Sequence, residues 1–356
     1  MKEGQIPGEA IIHEGNIKTV TSAGRLKRYL RVLFFASLGL IILWLITRNQ
    51  DIEKIWSELG QVNYFWIVLS IFAGVLSHIA RAIRWNILIR PLGNTPKTST
   101  TFYALMTGYL ANLAVPRLGE ITRTATLARY SRHPFNSLAG TVVAERVFDM
   151  ICILSLIFLT VVFQFSYLRS FLGYYIYNPV VNLVEENIIL LLFLAMGFLL
   201  FTGFMVKYFY GVNRQNTDFS GKLKRQMIGF WKGMISLAYV RQKALFFGLS
   251  AFIWTMYFMT VYLVFFALPG TSSLGVSAGF TILALGTLGV VAPVPGGLGT
   301  YHFIVITTLT ELMGIAVESA TSYAYVAHAA QMFVALMLGG FSWLMLSFMA
   351  KQKSVN

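Results

Sequence analysis

The sequence predicts an all-α integral membrane protein, and three observations carry that prediction. Hydrophobic residues make up 56% of the 356-residue chain and charged residues 12%, against roughly 45–50% and about 25% in a soluble domain. One soluble core cannot bury so large an apolar fraction. The 28 Lys and Arg stand in blocks between apolar runs, and none occurs from Ala244 to Ala350. A bilayer sorts charge in this way, because cytoplasmic loops collect basic residues. Finally, two apolar runs too short to cross a bilayer end in Pro/Gly breakers. The formal net charge of +14 thus records which side each loop faces, and nucleic acid is not expected as a partner.

The elements follow in order. Residues 1–24 are polar and aperiodic and are expected to form a disordered cytoplasmic tail. Arg25, Lys27, Arg28 and Arg31 precede the first apolar run with no small-residue cleavage site after it, so that run reads as a retained anchor. A crossing needs about 20 apolar residues, and six runs qualify: about 30–48, 64–89, 138–165, 187–207, 244–268 and 322–349. The runs 100–115 and 276–294 are shorter. They stop at Val115-Pro116-Arg117-Leu118-Gly119-Glu120 and at Pro293-Val294-Pro295-Gly296-Gly297-Leu298-Gly299, because Pro removes a backbone donor and Gly weakens a helix. Lys and Arg place the N-terminal segment, the flanks of the first short segment (Arg90, Lys97, Arg129 and Arg132), the loop 208–243 and the tail on the cytoplasmic side. Acidic or base-free loops face out. This pattern holds with six full crossings and two broken, re-entrant segments that return to the side they came from. Both termini are then cytoplasmic, and residues 25–349 form one multi-pass domain of the cytoplasmic membrane. Loop 208–243 carries Met227, Phe230, Trp231, Met234 and Ile235 among Lys224, Arg225 and Lys232, which predicts an amphipathic helix on an anionic cytoplasmic leaflet.

An internal repeat is implied. Each half, about 30–165 and about 187–349, has two spans, a broken segment and a third span. Pro116 and Pro295 stand about 180 residues apart. Three crossings per half invert the second half relative to the first. Inverted repeats with interrupted helices at matching positions point to transport, with the site at the repeat interface.

Charges inside the hydrocarbon are costly, roughly 2.5–3.5 kcal/mol each on insertion scales, so those retained need a partner, a cavity or a function. Two clusters stand out. One is Arg117, Glu120 and Arg123 at the first breaker, where the arginines bracket Glu120. The other is Glu145, Arg146 and Asp149 in the third span, where Glu145 and Asp149 share a helical face and Arg146 reaches toward Asp149. The acidic residues admit a structural reading as neutralising partners of Arg117 or Arg123. The guanidinium groups admit a functional one, since they fork phosphates and a helix N-terminus after Gly119 favours anions. Arg81 is a candidate for the same cavity, whereas Arg84 is expected to snorkel to the interface. Asn112 is placed to satisfy backbone groups freed by the break. His302, and His328 with Gln331, are polar groups of the second half whose role is either helix packing or proton handling. The single Cys, Cys152, excludes an intrachain disulfide. No metal-ligand set, phosphate-cradling loop or nucleophile–base pair is found, so neither a cofactor nor an enzymatic activity is expected.

Three motifs in order carry a resemblance. Pro116-Arg117-Leu118-Gly119-Glu120-Ile121-Thr122-Arg123, Glu145-Arg146-Val147-Phe148-Asp149 and Pro293-Val294-Pro295-Gly296-Gly297-Leu298-Gly299 resemble the signatures of the lysylphosphatidylglycerol synthase transmembrane, or flippase-like, family from about residue 30 onward. The resemblance implies a membrane fold that moves lipids or lipid-linked sugars, with Pro295, Gly296, Gly297 and Gly299 as its second breaker. The soluble aminoacyl-transferase domain of some relatives is expected to be absent. Relatives commonly carry Glu where this chain has His302, which alters the charge at that breaker. The expected function is translocation of a phosphate-containing lipid or lipid-linked sugar, with a homo-oligomer or a membrane enzyme as a possible partner. The competing expectations are a secondary transporter of a small anion and a non-catalytic partner of a lipid-glycosylating or lipid-modifying enzyme.

Overall fold

The computed structural model describes residues 37–131, 133–163, 196, 240–292 and 294–355. The tail 1–24, most of the expected span 187–207 and nearly all of loop 208–243 lie outside the described residues. Those described are helical, with no strand among them. The helices are α1 (Ser37–Thr47), α2 (Ile52–Gly60), α3 (Tyr64–Ile89), α4 (Thr98–Ala114), α5 (Leu118–Tyr130), α6 (Phe135–Phe163), α7 (Lys243–Phe265), α8 (Val276–Val291), α9 (Thr300–Thr307) and α10 (Val317–Val355). Three stretches are long and apolar enough to cross a bilayer: Tyr64–Leu92, Lys243–Phe265 and Val317–Ala350. Helix α6 has the length, at 29 residues, but carries Glu145, Arg146 and Asp149. Large apolar side chains such as Val68, Phe72, Leu154, Phe158, Phe341 and Trp343 are exposed. So wide an apolar surface suits lipid contact and not water. Helix α2 was not anticipated within its polar loop. Asp51 starts it by accepting a hydrogen bond from the Lys54 amide at 3.1 Å.

The frame is built on α3 packed along α7. One end of the molecule is basic, with Arg90 donating to Gln242 at 2.8 Å. The other is acidic, where Lys54 pairs with Glu318 at 3.1 Å and Ser319 donates to Glu58 at 2.6 Å.

Two helical hairpins pack against this frame. The first is α4–α5, closed where Gly108 faces Gly119: an ideal Cβ on Gly108 would lie 2.8 Å from the Gly119 carbonyl oxygen and 2.9 Å from Arg123 Cβ. Its base is at the basic end, where the Tyr130 hydroxyl donates to the Leu346 carbonyl at 2.6 Å. It runs along α10 past Phe341, whose ring lies 6.2 Å from that of Tyr103, and past Gly339, where an added Cβ would meet Leu110 Cβ at 2.7 Å. The second hairpin, α8–α9, is closed by Thr300, whose hydroxyl donates to the Gly289 carbonyl at 2.7 Å. Gly289 leaves the space for this, as its Cβ would sit 2.7 Å from Tyr301 Cα. The tips meet beside Met332, near the middle of the apolar stretch Val317–Ala350. A Cβ on Gly296 would lie 2.8 Å from Met332 Cε and 3.5 Å from Leu113 Cδ2.

The tips share one backbone device. Val115 and Val294 are extended (φ −139°, ψ 120° and φ −115°, ψ 147°), as a residue before proline must be. After each proline the chain turns left-handed, at Arg117 (φ 64°, ψ 2°) and at Gly296 (φ 60°, ψ 6°). Arg117 is the one non-glycine residue with positive φ among those described. It cannot cap α5 with its side chain. Asn112 does so from the preceding helix, its Oδ1 accepting from the Gly119 amide at 2.6 Å.

Candidate functional site

Helix α3 brings Arg81 and Arg84 to one face by their spacing of three. They enter about 12 Å and 8 Å from the basic end of that helix, at the α-helical rise. Helix α6 supplies Glu145 and Asp149 from successive turns, and α5 supplies Arg123. All five side chains converge. Arg81 Nη2 reaches Glu145 Oε1 at 2.5 Å and Asp149 Oδ2 at 3.3 Å. Arg84 Nη2 reaches Asp149 Oδ1 at 2.7 Å and Glu145 Oε1 at 3.4 Å. Arg123 Nη1 takes the other oxygen of Glu145 at 3.1 Å. Helix α7 closes the far side: Arg81 Nη1 donates to the Tyr257 hydroxyl at 2.9 Å and Arg84 Nη1 to the Ser250 hydroxyl at 3.1 Å. Arg84 and Glu145 are fully buried, and Arg123 is 2% exposed.

Three guanidinium groups therefore face two carboxylates, leaving one positive charge unmatched among the described residues. The surplus is easiest to locate at Arg123. Its Nε and Nη2 are buried without a hydrogen-bond partner, and its Cζ lies 4.8 Å from the centre of the Trp85 ring. That indole is held in turn by donating to the Thr141 hydroxyl at 2.9 Å. A cation over an indole face keeps some stabilisation, but the unpaired N–H groups stay available to an anion.

The charges continue outward from this cluster. Arg146 pairs with Glu120 at 2.8 Å, with side chains 41% and 34% exposed. Beyond them Arg117 sits exposed on the tip and takes part in none of the ion pairs among the described residues. The order from surface to interior is thus a free arginine, a half-exposed pair, then the buried cluster.

Several pairings differ from the sequence reading. Arg84 does not snorkel; it is an interior member of the cluster, because Ser250 and Asp149 hold its two Nη atoms there. Arg146 does not reach Asp149, which Arg81 and Arg84 occupy, but crosses to Glu120. Arg123 pairs with Glu145, as the structural reading of the acidic residues expects, so the arginines do not bracket Glu120. Tyr257 and Ser250 were not anticipated, since nothing in an apolar helix marks a hydroxyl whose partner comes from another helix.

The second breaker holds different chemistry. Pro295, Gly296, Gly297 and Gly299 form its turn, and they lie apart from the ion-pair cluster although their tip touches that of the first hairpin. Gly299 and Leu298 also lie directly against Gly39 of α1, where a Cβ would be 2.8 Å from the Leu298 carbonyl. His302 packs edge-to-face on His328, with ring centres 4.7 Å apart. His328 Nε2 is 3.0 Å from the Gly296 carbonyl oxygen. The sequence pairs His328 with Gln331 on one helical face; its ring contacts lie instead with Tyr301, at 5.0 Å, and His302. Among the described residues, no group of three or more His, Cys, Asp or Glu is placed to hold a metal ion.

Comparison with known proteins places the chain. The sequence model of the family described as "Lysylphosphatidylglycerol synthase TM region" matches residues 29–339. A UPF0104 membrane protein of Methanothermobacter thermautotrophicus is 28% identical over 260 residues, covering 67% of this chain and 74% of that protein. Another UPF0104 membrane protein, from Methanocaldococcus jannaschii, is 26% identical over 202 residues, covering 56% of this chain and 79% of that protein. No solved structure gives a significant match.

Proposed function

As the chain belongs to the lysylphosphatidylglycerol synthase transmembrane-region family, we propose that it moves a phosphate-containing lipid or lipid-linked sugar across the cytoplasmic membrane. The observation that carries this reading is the buried cluster of Arg81, Arg84 and Arg123 against Glu145 and Asp149, with Arg123 N–H groups left unpaired. An unmatched guanidinium in an apolar interior favours an anionic guest. Arg123 lies nearer the base of its hairpin than Arg117 does on the tip, so a headgroup entering from the basic end meets the buried arginine first and the exposed one last, past the Arg146–Glu120 pair, while its tails stay in lipid.

The transport geometry is read from the element contacts. In the first half α3 touches α4, α4 touches α5, α5 touches α6 and α3 touches α6; in the second, α7 touches α8, α8 touches α9, α9 touches α10 and α7 touches α10. Across the halves, α4 on α10 has its counterpart in α8 on α6. This correspondence supports two inverted repeats around the α3–α7 contact, with the hairpins as re-entrant segments and six crossings in all. The basic end, with Arg90, Lys97, Arg129 and Lys243, is then cytoplasmic, as are both termini. Rocking of one half against the other would expose the cluster alternately. The headgroup is captured on the cytoplasmic side and released outward. The protein acts without catalysis or cofactor in this reading, and a second copy or a lipid-modifying enzyme is its natural partner.

The test is lipid transfer in proteoliposomes. The double variant Arg117→Ala/Arg123→Ala should insert normally and lose transfer; transfer at the unaltered rate would sink the assignment. Uptake of a water-soluble anion with no lipid movement would favour a small-anion transporter instead. Native mass spectrometry of the copurifying lipid would name the headgroup.

A further inference from the structure

We propose that His302 and His328 form a proton-binding site at the second hairpin tip, and that taking up a proton there parts the two tips. The proposal rests on the reading that the two halves, each carrying one hairpin, rock against each other, and adds what drives them.

The geometry is specific. His302 and His328 are 2% and 4% exposed, with ring centres 4.7 Å apart at an interplanar angle of 85°. A carbonyl oxygen only accepts, so the 3.0 Å contact to Gly296 requires a hydrogen on His328 Nε2. His328 thereby holds the left-handed residue of the tip, the same residue that faces Met332 and Leu113. His302 Nδ1 is buried with no partner, as is the Tyr301 hydroxyl. Among the described residues, the titratable groups facing the pair are uncharged phenols or the rings themselves. Tyr301 of α9 stacks on His328 at 5.0 Å, and Tyr325 of α10 lies 5.1 Å from His302. Tyr323 of α10 is committed elsewhere, donating to the Val261 carbonyl at 2.8 Å. Helix α8 presents Gly286 and Gly289 to Tyr301, helix α1 presents Gly39 and Ile42 to the turn, and α4 presents Leu113. None of the ion pairs among the described residues involves either imidazole.

The chemistry follows from that list. Uncharged, the two rings pack as aromatics and the tips stay in contact. A proton on either one creates a cation with no carboxylate beside it, and the adjacent ring prevents both from being charged together. Such a cation is stabilised by water, and water reaches it only if the second tip withdraws from Leu113 and Met332. Proton binding and tip separation are then two sides of one equilibrium. The first hairpin, Thr98–Tyr130, carries no histidine of its own.

The experiment measures the tip distance directly. Cys152→Ser removes the single native thiol. Ala114→Cys and Val291→Cys then place spin labels at the exposed ends of α4 and α8, and the protein is studied in nanodiscs by electron–electron double resonance. The longer-distance population should grow as the pH is lowered stepwise from about 8 to about 4, since histidine is the side chain that gains charge on acidification there. His302→Gln should abolish the growth. His328→Gln keeps an N–H donor for the Gly296 carbonyl, so it should fold and also lose the response. A distance distribution indifferent to pH in the parent protein, or a response that survives in His302→Gln, overturns the proposal. Lipid transfer measured on the same samples separates the two readings: intact pH response with no lipid movement under any condition would remove the translocator and leave the proton site standing.

Discussion

The two hairpins are built alike and equipped differently. Each pairs an extended valine with a proline and a left-handed residue, and each closes on a glycine contact, Gly108 with Gly119 and Gly289 with Tyr301. Only the first has an arginine at the left-handed position, where an L-residue is disfavoured by about 1–2 kcal/mol. Only the first lies against a charged cluster. The second uses glycine at that position and packs imidazoles behind it. The turn is therefore set by proline and φ alone, and the chemistry is decided by what stands one helical turn behind the tip. Strain kept at Arg117 where glycine would serve points to a role for its side chain, since such strain gathers at functional positions.

Several changes would break or sharpen this contrast. The largest effect is expected from Glu145→Gln, which leaves Asp149 alone against Arg81, Arg84 and Arg123. Breaking a buried ionic network costs about 3–5 kcal/mol, so thermal unfolding in detergent should show a large loss, with no comparable loss for His302→Gln in the second hairpin. Next, Arg123→Gln removes the surplus charge while Glu145 keeps Arg81 and Arg84. Stability should change little, yet lipid transfer should fall about 10- to 100-fold, the worth of one charged hydrogen bond. Gly119→Ala and Gly289→Ala test the shared architecture. Both force a methyl into backbone, and each should destabilise by about 1–3 kcal/mol; a tolerant Gly289→Ala would show that the second hairpin is the looser of the two. The smallest effects concern the left-handed residues and have opposite signs. Gly296→Ala should cost about 1–2 kcal/mol and Arg117→Gly should add about 1 kcal/mol, the latter with loss of transfer. A stability loss in Arg117→Gly would mean that its side chain supports the tip.

What the sequence reveals is whatever depends on neighbours along the chain. The breaks at Pro116 and Pro295, the common face of Glu145 and Asp149, and the limits of the long apolar helices α3 and α7 all follow from local spacing. Pairings between helices do not. Arg84 reads as a snorkelling residue because its distance from a helix end is visible and the hydroxyl of Ser250, 166 positions on, is not. Arg146 reads as a partner of Asp149 by its spacing of three, but Arg81 and Arg84 approach from another helix and take that carboxylate. His302 and His328 look like two isolated polar groups until the hairpin brings α9 onto α10. The family resemblance marks His302 as a departure and says nothing of its neighbour.

One contact has a practical consequence. The indole of Trp85 is sealed from solvent and has a guanidinium over its face. Its emission is therefore sensitive to whether the Arg123 charge is bare or neutralised. With 7 tryptophans in the chain, the difference between the parent spectrum and that of Trp85→Phe isolates this single fluorophore. Anion arrival becomes an optical signal, readable in vesicles of chosen composition without attaching any dye.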